Sequence, residues 1–111
     1  MKIENAMICD VTVVRQQKDL LFAKVVFSGQ YGRCDRGFVL NDSIDIQMLV
    51  KLMEYTNTYR IEKLKDKAVR VVIKDNILRG FGAFCKDQFI TFGEELKEVT
   101  EAQLKGMQQP Q

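Results

Sequence analysis

Two stretches of the chain carry residue types able to do binding chemistry. The first is Tyr31-Gly32-Arg33-Cys34-Asp35-Arg36-Gly37-Phe38, with two arginines, two glycines and two aromatic rings in eight residues. A guanidinium can fork onto phosphate oxygens, a glycine lets backbone approach a ligand, and a ring can stack on a base. The second is Arg70 together with Arg79-Gly80-Phe81-Gly82-Ala83-Phe84, where an arginine again precedes alternating glycine and phenylalanine. The candidate ligand-binding residues are therefore Tyr31, Arg33, Arg36, Phe38, Arg70, Arg79, Phe81 and Phe84. Each also has an ordinary structural use. Asp35 can pair with Arg33 or Arg36, Phe38 can fill a core, and a ring can lie over a neighbouring strand glycine. The two stretches make one pocket only if they meet in space, within one chain or across an oligomer interface.

Catalysis has less support. There is no histidine, which removes the commonest general acid/base, the commonest metal ligand and any Ser-His or Cys-His pair. Neither a GxxxxGK[ST] loop nor a GxGxxG turn occurs. The acids are scattered over turns and an exposed helix face, where nothing apolar would raise a carboxyl pKa. The expectation is a protein that is not an enzyme and needs no cofactor or metal. Net charge is only +2, but it is unevenly placed. Residues 60–86 hold 8 basic and 3 acidic side chains, and residues 87–111 hold 2 basic and 5 acidic. A basic middle suits a phosphate-bearing ligand or an anionic partner. A nucleic-acid partner is not expected, because such domains are more basic than a pI near 8.4. Cys9, Cys34 and Cys85 have no metal-type spacing and read as reduced, mostly buried thiols. With no secretory segment and no long apolar run, the expected setting is the cytoplasm, without a membrane.

The clearest periodic element is Ser43–Asn57. Met48, Leu49, Leu52, Met53 and Thr56 recur at helical spacing, Asp42 or Ser43 can cap the start, and Asn57 can close the end. Strands are expected at 3–15, a long strand interrupted by a bulge, then at 20–28, 33–40, 67–74 and 77–85, with a short extended piece at 88–92. Asp75-Asn76 reads as a two-residue hairpin turn. One helical turn anchored by Ile61 and Leu64 falls within 58–66. A second helix is expected over Glu94–Leu104, with Leu96, Val99, Gln103 and Leu104 on one side. Short turns between strands imply antiparallel pairing, so the fold class is α+β: about five to six strands, β-β-β-α-β-β-(β)-α, with one main helix packed on the sheet. A single domain over 1–106 and a frayed tail over 107–111 follow from length and composition. Whether the sheet is continuous or split is open at this level.

The order Gly32-Arg33-Cys34-Asp35-Arg36-Gly37-Phe38-Val39-Leu40, a helix, Leu64-Lys65-Asp66-Lys67-Ala68-Val69-Arg70-Val71, Ile77-Leu78-Arg79-Gly80-Phe81-Gly82 and Lys86-Asp87-Gln88-Phe89-Ile90 resembles a group of small phage and prophage proteins. These have a Gly-rich aromatic strand before a helix, then an LKGK-x-VRV strand and a KD-x-WF turn. The group includes the Thoeris anti-defence proteins. The likeness spans about residues 3–96. Here Asp35-Arg36-Gly37-Phe38 stands in place of a Gly-Gly-Tyr type run, and Phe89-Ile90 in place of Trp-Phe. The resemblance implies a homo-oligomeric sponge that binds a cyclic ADP-ribose-like or cyclic oligonucleotide signal without degrading it. It points to Arg70, Arg79 and the aromatic-glycine strand as site residues. The alternative is a protein–protein inhibitor or adaptor that blocks a host defence protein such as a CRISPR effector, using an acidic helix or an exposed strand edge.

Overall fold

A computed structural model describes residues 1–93 and 96–108. It is an α+β structure with one continuous, antiparallel, seven-stranded sheet. The strands are Lys2–Gln17 (β1), Leu20–Gly29 (β2), Gly32–Val39 (β3), Ala68–Lys74 (β4), Ile77–Gly82 (β5), Phe89–Thr91 (β6) and Glu98–Val99 (β7). Their order in the sheet is β3-β2-β1-β4-β5-β6-β7. The first three strands and the last four are thus two meanders, joined where β4 pairs with β1. The helix Ser43–Tyr55 (α1) carries the chain from one meander to the other.

Local chemistry explains these boundaries. Asp42 is the N-cap of α1, and its side chain accepts from the amides of Ile44 and Asp45 at 2.9 and 3.0 Å. Asn57 leaves the helix with φ 55°, the left-handed geometry that asparagine tolerates. The β4–β5 turn has Asp75 and Asn76 at φ 55° and 62°, as a type I′ hairpin requires. Thr100 and Gln103 form a reciprocal capping box. The Gln103 amide donates to Thr100 Oγ1 and the Thr100 amide to Gln103 Oε1, at 3.2 and 2.8 Å. The second helix is therefore Glu101–Gln108 (α2), later than expected. The expected helical stripe is divided: Leu96 packs with the main core, while Val99 and Leu104 pack on the other side of the sheet. Glu98 and Val99 are drawn into pairing with β6 instead. Of the expected start, Glu94 and Glu95 lie outside the described residues. At the tail, Met107 and Gln108 end α2, and 109–111 lie outside the described residues.

The sheet curls steeply. β3 and β5 are separated by three strands in the order, yet the rings of Phe38 and Phe81 meet edge-on at 6.5 Å. Phe92 joins both, 6.2 Å from Phe38 and 5.9 Å from Phe81. Such edge-to-face pairs suit the ring quadrupole. α1 lies in the concavity and buries Met48, Leu49 and Leu52 there, with Ile8, Val25, Phe27, Val69 and Val71 below. Val72, Phe89, Val99 and Leu104 form a smaller core on the convex side, under α2.

Two irregularities set which way side chains point. β1 has register shifts at Cys9 and Gln16, so the expected bulge is present. A further shift in the β4–β5 ladder lies between Val72 and Ile73 and leaves Arg79 out of register. Strict alternation would put Leu78 with Gly80 and Arg79 with Phe81. The bulge breaks that alternation, and Leu78 and Phe81 both enter the main core. β5 ends at Gly82, short of the expected Cys85. Gly80 is needed where β5 and β6 run close: a Cβ there would strike the backbone of Ile90 and Thr91.

Gly80→Ala is therefore expected to lower the unfolding free energy by at least about 2 kcal/mol, an overpacking cost that backbone cannot relax away. Gly93→Ala, whose Cβ meets nothing within 4 Å, should stay within about 0.5 kcal/mol of the parent. Paired urea titrations measure both, and equal midpoints for the two variants would contradict this account of β5–β6 spacing.

Candidate ligand-binding site

The arginines named from the sequence do not converge on one surface. Arg36 lies on the concave side of the sheet. Its guanidinium sits 4.4 Å from the Phe92 ring centroid, and one nitrogen lies 3.5 Å from an oxygen of Asp45. The other Asp45 oxygen accepts from the Val39 amide at 2.9 Å. Arg36 thus ties β3 to α1 and to the ring cluster, and its Nε is buried without a hydrogen-bond partner. Arg70 lies on the convex side, 4.5 Å over the Phe89 ring. Its Nε donates to the Ala83 carbonyl at 2.9 Å and one Nη to the Lys86 carbonyl. It is a strut that holds the segment between β5 and β6. Arg33 is exposed on the edge strand, with its side chain on the face opposite Arg36.

The rings are also divided. Phe38 and Phe81 are fully buried in the core, so neither can stack on a ligand. Tyr31 is half-buried. Its hydroxyl accepts from the Cys34 thiol at 3.5 Å, and burial, more than that bond, pushes its pKa well up. Burial raises the Cys34 thiol pKa too. The three cysteines are free, and where mostly buried thiols were expected Cys9 and Cys34 are half-buried and Cys85 is exposed. Phe84 is exposed and stands between two shallow clefts, one of which also touches Arg70.

Arg79 is different. It is exposed, lies at the bulge, and is in no ion pair among the described residues. With Lys74, Asp75, Val72, Thr91 and Phe92 it lines an open cleft of about 350 Å³ at the β4–β5 turn. Lys74 is likewise unpaired. A second cleft, about 440 Å³, shares Lys74 and Asp75 and adds Lys2, Glu4 and Tyr31. At this end of the sheet the first cleft offers Lys74 and Arg79 to an anion, and the second offers Lys2 with Tyr31 beside it. The cations are offset by Asp75 and by Glu4, one of whose carboxylate oxygens is buried without a partner. Sequence reasoning found Arg79 and Tyr31 here but missed Lys74 and Phe92. Lys74 looks like a flanking turn residue, and Phe92 enters only because the sheet curls.

The other polar cluster joins α1 to β7. Lys51 Nζ sits 2.7 Å from Glu98 and 3.1 Å from Glu54, and the Tyr55 hydroxyl donates to Glu98 at 3.0 Å. The Lys51 hydrogen bond holds the Glu98 carboxyl below its ordinary range, and the same bond raises Lys51. Burial, then the bond to Glu98, raises Tyr55. The cleft beside this cluster includes Phe84, Cys85 and Lys86, but Glu98 is already saturated by its own neighbours. The cluster fastens the two-residue edge strand β7 to the helix. Among the described residues no group of His, Cys, Asp or Glu side chains is placed to hold a metal, and no helix is long and apolar enough to cross a membrane.

Comparison of the chain with family models, with curated proteins and with solved structures gives no match. The functional reading therefore rests on the geometry of this site and on the motif resemblance.

The Lys51–Glu98 pair makes a pH prediction with a definite sign. Glu98 has a lowered folded pKa, so its contribution is complete above the ordinary carboxylate range of about 4.3 and is lost as pH falls through the lowered value. The stability difference between the parent and Glu98→Gln should hold from neutral pH to about pH 5 and shrink below it. Lys51, with a raised pKa, should keep its contribution until pH exceeds about 10.4. Thermal melts across this range read both limbs. A difference that grows on acidification would contradict the pairing.

Proposed function

We propose that the protein acts by binding, holding a nucleotide-derived phosphate compound at the Lys74–Arg79 cleft and so withholding a host immune signal. The observation that carries the proposal is this cleft. Two cations that are in no ion pair among the described residues flank an exposed notch, at the bulge that turns Arg79 out of the ladder. Arginine can fork onto phosphate and lysine adds a point charge, while Tyr31 in the adjoining cleft offers aromatic surface. The signalling role comes from the phage-protein resemblance, as do a host-cytoplasmic location and self-association. Arg33, Arg36 and Arg70 drop out of the proposed contact set, because they face other surfaces or are engaged by Asp45 and by backbone carbonyls.

Isothermal titration against cyclic ADP-ribose isomers and cyclic di- and trinucleotides tests the reading. At least one should bind with measurable heat. Arg79→Ala should weaken it about tenfold or more, since a charge-assisted hydrogen bond is worth about 1.5–3 kcal/mol. Arg33→Ala should leave it unchanged. Absence of heat with every compound at high protein concentration would sink the proposal. Light scattering reads self-association separately.

A further inference from the structure

Among the described residues, the outer part of β1 is open along one side, in addition to the edge strands β3 and β7. β4 pairs with β1 only from Lys2 to Met7. Two more backbone bonds extend this contact, Ile8 amide to the Lys67 carbonyl at 2.9 Å and the Asp66 amide to the Ile8 carbonyl at 2.7 Å. Beyond Ile8, β1 continues to Gln17 paired only with β2. Alternate amides and carbonyls of Val11–Arg15 thus face outward without a strand partner among the described residues. Three valines lie along this arm among polar side chains, and Val11 packs on the main core while the other two are open to solvent. Val13 is 51% and Val14 37% exposed. The other sheet edges are poorer templates. β7 has two residues, and β3 presents Arg33, Asp35 and Gly37. An unblocked edge is a template for another strand.

A second, independent feature identifies the chemistry of that strand. The segment before β4 abuts the start of the open edge, with Ile61 and Leu64 in the main core and Lys67 bonded to Ile8 through its carbonyl. Lys63, Lys65 and Lys67 are exposed here and are in no ion pair among the described residues. Arg15 and Lys18 add positive charge toward the hairpin tip, against Asp10, Asp19 and Asp66. We infer that the open edge of β1, residues 10–16, docks an extended segment of a partner protein by strand addition. That segment is acidic where it passes Lys63, Lys65 and Lys67 and apolar along Val11–Val14. Backbone bonds would supply affinity, and the lysines would set direction and register. The inference is separate from the Lys74–Arg79 cleft and does not depend on it.

The probe is a fluorescein-labelled peptide of consecutive glutamates followed by alternating valine and threonine. Anisotropy should show saturable binding that weakens with salt, and amide exchange should slow at Val11, Val13 and Arg15. Val13→Pro removes one amide at a position where an edge strand accepts proline, and should weaken binding about tenfold or more. Lys65→Glu combined with Lys67→Glu should also weaken it. In case Val13→Pro perturbs the hairpin, a peptide N-methylated on alternate residues tests the same bonds with the unaltered protein, and should not bind. A lysine-for-glutamate peptide should fail as well. Equal binding of the N-methylated peptide, or protection confined to β3 or β7, would overturn strand addition at this edge. Tighter binding of a single-stranded RNA of matched charge, in competition with the peptide, would assign the lysines to nucleic acid. A stable dimer that Val13→Pro dissolves would assign the edge to a second copy of this chain. Either result overturns the inference.

Discussion

The meeting of Phe38, Phe81 and Phe92 under α1 is the constraint on which the rest depends. These rings come from β3, β5 and the residue after β6, and they touch only because seven strands curl around the helix. Antiparallel strands twist in one sense, and a long sheet must curl to bury one face on a single helix. The glycines of β5 permit the tightest part of the curl, where β6 lies against Gly80 and the Phe89 ring lies against Gly82. The bulge beside them resets the face of Phe81. Were that register regular, Arg79 would point with Phe81, toward the core. The exposed arginine and the buried ring therefore have a common cause.

The same constraint separates charged groups that structure consumes from those it leaves free. Arg36 is drawn against Phe92 and Asp45, and Arg70 against Phe89 and two carbonyls. Guanidinium groups stacked on rings and held by an ion pair or by backbone carbonyls tie elements together. Lys51 and Glu98 fasten the weakest strand in a similar way. Lys74 and Arg79 remain outward at one end of the sheet, and Lys63, Lys65 and Lys67 remain outward at the start of the open arm of β1. The basic middle of the chain is thus two separate features in space: a cleft lined by Lys74 and Arg79, and a lysine flank beside the open side of β1.

Much of the fold was legible in local chemistry. The helix cap at Asp42, the left-handed Asn57, the Asp75-Asn76 turn and the six longer segments of strand or helix through β5 follow from residue preferences acting over a few positions. The candidate site was less legible. Tyr31 and Arg79 line the clefts, but Phe38 and Phe81 proved to be core, and the expected ring over a neighbouring glycine is the correct description of Phe89 on Gly82. The late start of α2 was readable in Thr100-Glu101-Ala102-Gln103, a capping box that outweighs the apolar spacing of Leu96 and Val99.

Sequence by itself determined the element types, the antiparallel meanders and the single main helix, because caps, turns and hydrophobic periods act locally. It also determined that positive charge is concentrated between residues 60 and 86. Only the tertiary structure decided which arginines are free, because that depends on a one-residue register shift in the β4–β5 ladder and on a curl that brings distant strands together. Neither leaves a mark in local spacing. A shift of one residue exchanges the two faces of a strand, so the step that turns Arg79 outward is invisible until β4 and β5 are paired.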